Sequence, residues 1–158
     1  MRRFALHTKR ATAGERAVAK VLQDKWGWKC TATARFACYD LTARRRDGTL
    51  AAIIEVKCRD FAWGTHATVH VSLNKLLRCL DQAGRLGCNF CFLVKARDGI
   101  YQMWLTRAGL RLLPRKVGGR ADRPGIKTDI ETLVDIPIGH FLKLNEPWPN
   151  PPVDKPTL

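Results

Sequence analysis

The chain has 158 residues, enough for one domain that buries about two-thirds of the surface its unfolded chain would expose. Its 28 Lys and Arg residues outnumber 14 Asp and Glu residues, which gives a formal net charge of +14. This charge favours binding to polyanions, nucleic acid before acidic membranes or acidic proteins. The sequence contains no apolar run long enough for a membrane span and no secretory signal core, so we expect a soluble, intracellular protein without a membrane partner.

Six cysteines are present, and several lie inside apolar runs, where a reduced cysteine behaves as a small hydrophobic residue. This pattern favours a reducing compartment. Cys88 and Cys91 form a Cys-x-x-Cys motif, but no second ligand pair at zinc-site spacing follows. A zinc or redox protein that uses these two thiols remains an alternative.

The first predicted element is a helix that begins between Thr12 and Gly14 and ends near Lys25. Its apolar residues recur at helical spacing, at Ala17, Val18, Val21 and Leu22. Thr12 and Glu15 fit a capping box, which gives Glu15 an ordinary structural role as one interpretation. Residues 1–11 contain no acid and are expected to form a basic arm.

Short strands are predicted next, at 29–34, 37–44 and 50–58. The second and third strands flank Asp47 and Gly48, and an Asp-Gly pair between two strand-like runs is a strong hairpin signal. The hairpin returns Asp40 to the end of the third strand, beside Glu55.

A second helix should begin at the N-cap Ser72 and end at Gly87, after a short extended piece at 69–71. Two more strands are expected at 89–95 and 100–105, with a turn between them. The predicted fold is therefore α/β, with a central mixed sheet flanked by helices in the order helix, three strands, helix, two strands. Residues 12–106 form the predicted core.

Beyond the core, residues 107–146 are predicted to pack on it as an extension. Seven basic residues and one acid lie between Arg107 and Lys127, which favours a short helix followed by a mobile basic loop. A last strand is expected near 133–138. Residues 147–158 hold five prolines and should form an extended or disordered tail.

The third strand ends in Glu55, Val56 and Lys57. Residues two apart on a strand share a face, so a carboxylate and an ammonium lie together at the end of a buried strand. Their burial costs several kcal/mol unless they are paired, hydrated or bound to a partner. A purely structural ion pair is one interpretation. The other is a chemical role, since clustered carboxylate oxygens can hold hard divalent ions.

Together, Glu15 on a helix, Asp40 after a strand and the Glu55-x-Lys57 motif resemble the PD-(D/E)XK nuclease superfamily. The order and spacing resemble its Holliday-junction-resolvase branch over roughly 12–105. The resemblance implies a restriction-endonuclease-like core and a Mg²⁺-dependent endonuclease, with Mn²⁺ able to substitute, that cuts DNA as a homodimer in the cytoplasm of its own or a host cell. Four-way junctions and other branched DNA are the implied substrates. Tyr39 replaces the motif's proline, and residues 29–37 lack the branch's loop serine.

The same resemblance assigns roles to individual residues. Asp40, Glu55 and the backbone carbonyl of Val56 would hold the metal ion, and Glu15 would hold it directly or through water. Lys57 would lie beside the attacking water.

Lys75, one turn into the second helix, would be an auxiliary catalytic residue or else a solvent-facing lysine. The alternative function is a non-catalytic nucleic-acid-binding protein on the same fold. Expected nucleic-acid contacts come from basic residues on three segments: Arg10, Arg44, Arg45, Arg46, Arg115, Lys116 and Arg120.

Overall fold

The structure, a computed structural model, describes residues 2–33, 37–119 and 130–144, with the side chains of the first helix from residue 13 onward. These residues form three α-helices, nine strands and a 3₁₀ turn at Ile138–His140. The elements are α1 (Arg2–Trp26), β1 (Lys29–Ala32), β2 (Leu41–Arg44), β3 (Leu50–Cys58), β4 (Thr68–Ser72), α2 (Leu73–Leu86), β5 (Asn89–Ala96), β6 (Gly99–Leu105), α3 (Arg107–Leu112), β7 (Arg115–Gly119), β8 (Ile130–Pro137) and β9 (Leu142–Lys143).

The main sheet has six strands in the order β1-β2-β3-β5-β6-β9. It is mixed, because β3 and β5 are parallel and the other neighbours are antiparallel. The apolar run at the centre of β3 is buried on both faces. Ile53 belongs to a core cluster with Leu76 of α2, whereas Ile54 belongs to a second cluster with Val18 of α1. The two helices therefore cover opposite faces, and the predicted α/β fold is confirmed.

A second, three-stranded sheet with the order β4-β8-β7 lies beside the first. The short extended piece and the last strand predicted from the sequence pair with each other here, Val69 with Ile136 and Val71 with Val134. The predicted mobile loop is wrong in part, because Arg115–Gly119 forms β7 and gains its ladder from β8. The rest of that predicted loop, and the predicted proline-rich tail at 147–158, lie outside the described residues.

Helix α1 begins at Arg2, about ten residues before the predicted start. Residues 2–11 contain no Gly or Pro and are rich in Ala, Leu, Lys and Arg, all strong helix formers. The predicted basic arm is thus part of the helix. Thr12 and Glu15 both lie inside α1, so the predicted capping box is wrong as well. No helix among the described residues is long and apolar enough to cross a membrane.

The second helix follows its prediction closely. The Ser72 hydroxyl accepts a hydrogen bond from the Lys75 backbone N–H at 3.4 Å, and Gly87 ends the helix in the left-handed conformation with φ 64°. This cap fixes the first turn of α2, which carries the Lys75 side chain toward the end of β3.

Gly14 lies where α1 crosses the end of β3. A Cβ atom at this position would come within 2.3 Å of the Cys58 Sγ atom. Glycine normally weakens a helix interior, so its presence here is explained by the close approach of helix and strand.

We expect Gly14→Ala to destabilise the protein by about 1 kcal/mol or less, because the exposed Cys58 thiol must turn aside to admit the methyl group. The measurement is the free energy of unfolding by denaturant. Gly84 in α2 is the matched control, since nothing lies within 4 Å of an added Cβ there. Gly84→Ala should stabilise by up to about 1 kcal/mol. In a Cys58→Ala background the Gly14→Ala penalty should disappear; its persistence would contradict the explanation.

Candidate active site

Glu55 is the buried carboxylate at the centre of the site. It lies on the same face of β3 as Ile53, the face that α2 covers, and its side chain is 1% exposed. Lys57 lies on that face one step further along, near the end of the strand, with 30% of its side chain exposed. The strand therefore carries one fully buried acid and one lysine that reaches solvent.

Asp40 is held beside this strand end by two hydrogen bonds. Its backbone N–H donates to the Ile54 carbonyl at 2.9 Å, and its Oδ2 atom accepts from the Val56 N–H at 2.8 Å. The side chain thus continues the β2–β3 ladder past Leu41, where β2 begins. Asp40 lies close to Glu55, as the predicted hairpin requires, and its charge acts on that carboxyl group.

Two ammonium groups contact a single oxygen of Glu55. The Nζ atom of Lys75 lies 2.6 Å from Glu55 Oε1, and that of Lys57 lies 3.5 Å from the same atom. The other oxygen, Oε2, is buried and has no hydrogen-bond partner among the residues that the structure describes. Buried polar atoms nearly always have a partner, so this oxygen marks a place where a ligand atom is expected.

The site also shifts the ionisation of its acids. Burial raises the pKa of Glu55 to about 7; the charge of Asp40 raises it too, and Lys75 and Lys57 lower it. Burial likewise raises the pKa of Glu15, with a further contribution from Asp40 and an opposing one from Lys75. The charge of Asp40 therefore acts on both Glu15 and Glu55, and positive charge nearby lowers the pKa of each of these two acids.

The pKa of Lys75 is raised as well, but for a lysine a raised pKa favours the charged form. Burial lowers its pKa, but the charges of Glu55 and Asp40 and the hydrogen bond to Glu55 outweigh burial, so the net pKa of Lys75 is raised. Lys75 is therefore charged at neutral pH. Its ammonium group contacts Glu55 while 34% of the side chain is exposed, a placement that favours the auxiliary role over the purely solvent-facing one.

The oxygens fit a hard divalent cation that also binds substrate. Among the described residues, no three His, Cys, Asp or Glu side chains form a ready-made metal cluster. Mg²⁺ is usually held by one or two carboxylates together with waters and substrate phosphates, and Asp40 and Glu55 supply that number. The N–H and C=O groups of one strand residue point to the same side, so the Val56 carbonyl faces the Asp40 side of β3.

The three predicted arginine contacts on the β2–β3 hairpin lie away from this site. Arg44 is paired with the first residue of β3, roughly 17 Å along the strand from Glu55. Its guanidinium donates to a carbonyl of the hairpin turn at 3.0 Å, and Arg45 lies over the ring of Trp28 at 5.9 Å. Arg46 packs beside the loop after α1. These contacts give the arginines structural roles, and their binding to nucleic acid stays a prediction.

The predicted contacts Arg115 and Lys116 lie on β7. Arg115 is exposed, whereas the Lys116 Nζ atom lies 3.1 Å from Asp135 Oδ1 and 3.4 Å from His70 Nε2. His70 also contacts Asp135 directly. Two predicted contacts lie outside the described side chains, Arg10 and Arg120.

Sequence reasoning missed two acids on β8. Asp135 contacts His70 and Lys116, and Glu131 accepts a hydrogen bond from the Ser72 hydroxyl at 2.6 Å. The signal was the alternation from 131 to 136, in which Val134 and Ile136 are buried while both acids point to the other face.

The zinc or redox alternative is not supported by the placement of its cysteines. Cys88 is buried in the cluster under α2, and Cys91 is buried in the cluster under α1. The two thiols thus lie on opposite faces of the sheet. Burial raises the pKa of both, which makes them poor metal ligands and poor nucleophiles.

Comparison with known proteins agrees with this geometry. The family model described as "Phage putative PDDEXK endonuclease" matches residues 1–144. The structure of Hjc from Archaeoglobus fulgidus, described as a Holliday junction resolvase from an archaeal hyperthermophile, is similar with a TM-score of 0.54 and 19% sequence identity. The match covers 84% of this chain and 92% of that chain, and at this identity it shows the fold. No curated protein sequence matches the chain.

Proposed function

The chain belongs to the phage PDDEXK endonuclease family, and on that premise we propose that it is a Mg²⁺-dependent endodeoxyribonuclease that cuts branched DNA. The observation that carries the proposal is the buried Oε2 atom of Glu55, next to Asp40, which has no hydrogen-bond partner among the described residues. A structural ion pair between Glu55 and a lysine would need only one carboxylate. The second carboxylate at the end of this buried strand is therefore evidence for a metal site. Mn²⁺ should substitute, because it prefers the same oxygen ligands.

Asp40, Glu55 and the Val56 carbonyl would hold the cation, with Glu15 contributing directly or through water. When bound, the cation supplies positive charge against the phosphoryl oxygens. Glu55 has a pKa of about 7 without it, so a nearby positive charge also favours the ionised carboxylate.

The two lysines have separate tasks in this proposal. Lys57 is partly exposed and lies 3.5 Å from Glu55, so it can orient the attacking water and stabilise charge that develops on the phosphate. Lys75 lies closer, at 2.6 Å, with a similar share of its side chain exposed; it fixes the Glu55 carboxylate and favours its charged form. The proposed catalytic residues are thus Glu15, Asp40, Glu55 and Lys57, with Lys75 as the auxiliary.

DNA as the substrate is supported by the net charge of +14 and by the family. Branched DNA is supported by the fold, which is similar to that of a protein described as a Holliday junction resolvase. A homodimer is part of the proposal, because two symmetric cuts across a four-way junction require two sites related by a twofold axis.

The test uses the purified chain with labelled four-way junction, flap and linear duplex DNA. We expect cleavage with Mg²⁺ or Mn²⁺ and none with chelator, and the branched substrates should be cut faster than the linear duplex. Sedimentation at the same protein concentration checks the dimer. Binding of all three DNAs without cleavage by any divalent cation would instead support the non-catalytic alternative.

A further inference from the structure

The ends of β7 and β8 leave the body of the protein as a two-stranded ribbon, defined here as residues 115–119 and 130–133. Further along β8, Val134 and Ile136 are buried in the core, whereas 130–132 are exposed. On β7, all but one residue of the strand is exposed. An isolated pair of strands is marginally stable in water, so a projecting ribbon needs anchoring to the body.

One face of the ribbon carries exposed apolar side chains. Val117 is 76% exposed and Ile130 is 69% exposed. Val117 pairs with Thr132 and Gly119 pairs with Ile130, which places Val117 and Ile130 on the same face. On the opposite face Leu133 lies over Gly118, where an added Cβ would come within 2.7 Å of it. The apolar residue of that face is thus packed within the ribbon, whereas Val117 and Ile130 on the other face are exposed.

The charges around the ribbon favour an anionic partner. Both acids of β8 are already engaged, Glu131 with the Ser72 hydroxyl and Asp135 with Lys116 and His70. Arg115, next to Val117 on the same face, is exposed. Apolar side chains beside an exposed arginine, with Asp135 paired to Lys116 and His70 and Glu131 on the opposite face, suit the edges and backbone of nucleic acid better than a neutral protein surface.

The ribbon is also joined to the proposed active site. Ser72 donates to Glu131 at 2.6 Å and caps α2 by accepting from the Lys75 N–H at 3.4 Å. Lys75 in turn contacts Glu55. Leu133, at the base of the ribbon, pairs with Ser72. These contacts connect the base of the ribbon to Glu55 through Ser72 and Lys75.

We propose that the Val117–Ile130 face of the ribbon binds the major groove of duplex DNA beside the cleaved strand. This inference rests on the proposed function. The major groove is about 12 Å wide and admits a two-stranded ribbon, and its thymine methyl groups offer apolar contacts. The ribbon positions the duplex. The hydrogen bond between Ser72 and Glu131 connects the ribbon to α2, the helix that carries Lys75.

The test replaces Val117 and, separately, Ile130 by Glu and by Lys, and measures DNA affinity in chelator, where no cleavage occurs. Against DNA the two charges act in opposite directions. The Glu variants should bind duplex about tenfold more weakly. The Lys variants should bind at least as tightly as the unmodified protein, with a salt slope steeper by about 0.9. Leu86, 42% exposed at the far end of α2, is the matched control position, and its Glu and Lys variants should change affinity much less.

Other outcomes identify other occupants. If Glu and Lys variants both weaken binding and both shift the sedimentation of the protein, the face is an interface between two copies and the proposal is overturned. Unchanged affinity in all variants also overturns it. Protection of guanine N7, a major-groove atom, from dimethyl sulfate should be lost with Val117→Glu; persistent protection would show that another part of the protein covers the major groove and would overturn the proposal. Thermal unfolding confirms that each variant is folded.

The failures of the two proposals are distinguishable. One outcome is that the unmodified protein cleaves no DNA while the Glu variants still bind DNA more weakly than the Lys variants. In that case the nuclease proposal fails and the ribbon proposal is supported. If it cleaves branched DNA and Val117→Glu binds and cleaves equally well, only the ribbon proposal fails.

Discussion

Glu55→Gln is expected to reduce DNA cleavage by about 10³-fold while leaving DNA affinity in chelator within about twofold of the unmodified protein. The substitution keeps the shape and the hydrogen bond to Lys75 but removes the negative charge that would hold a divalent cation. Binding to DNA depends on basic residues elsewhere, so it should persist. The measurement is the single-turnover cleavage rate at saturating protein, with Mg²⁺ and with Mn²⁺.

Asp40→Asn and Lys57→Ala should likewise lose DNA cleavage while keeping nearly the DNA affinity of the unmodified protein. Asp24→Asn is the matched control, because Asp24 is an exposed acid further along α1, the helix that carries Glu15. It should cleave at the unmodified rate. Metal-dependent cleavage that survives in the Glu55→Gln protein would remove Glu55 from the site and leave the Glu55–Lys57 contact as a structural ion pair.

Much of the fold was predictable where local sequence and tertiary contacts agree. The run from Leu50 to Cys58 is apolar and β-branched and forms a central strand with the predicted bounds. The Ser72 and Gly87 caps likewise set both ends of α2. Strand β7 could not be predicted, because Val117 is its one apolar residue, among two basic residues and two glycines, and its ladder depends on β8, eleven or more residues away in the chain.

In the site, too, local sequence rules place some residues, whereas other contacts depend on the tertiary structure. The positions of Asp40, Glu55 and Lys57 follow from strand alternation and the Asp-Gly hairpin, which are local rules. The contact of Lys75 with Glu55 depends on how α2 crosses the sheet, which periodicity does not disclose. The acids of β8 belong to a sheet that only long-range pairing creates. Sequence reasoning therefore located the carboxylates, whereas the structure supplied the groups around them.

The free energy of unfolding should depend on the protonation of Glu55. Its pKa is about 7 in the folded chain and near 4.5 in an unfolded one. Between these values the folded state holds a proton that the unfolded state has lost, so stability falls as pH rises. The contribution is complete below about pH 4.5 and is lost by about pH 7, a change of about 3 kcal/mol. Glu15, whose pKa is also raised, acts in the same direction.

Glu55→Gln removes this dependence, so in chelator the variant should be the more stable protein at pH 8, while the two proteins should differ little near pH 5. Acids with lowered pKa values, such as Asp135, add an opposite slope at low pH, but that slope is common to both proteins and cancels in the difference. Asp24→Asn should keep the pH dependence of stability of the unmodified protein.

Adding Mg²⁺ should narrow the difference in stability between the unmodified protein and Glu55→Gln at pH 8, because a cation that binds ionised Glu55 stabilises only the unmodified folded state. Parallel stability curves for the unmodified protein and Glu55→Gln in chelator would show that burial does not hold a proton on Glu55. If Mg²⁺ leaves the stability difference between the two proteins at pH 8 unchanged, protonation of Glu55 is not linked to cation binding. That result would argue against Glu55 as a metal ligand even if the Glu55→Gln protein no longer cleaved DNA.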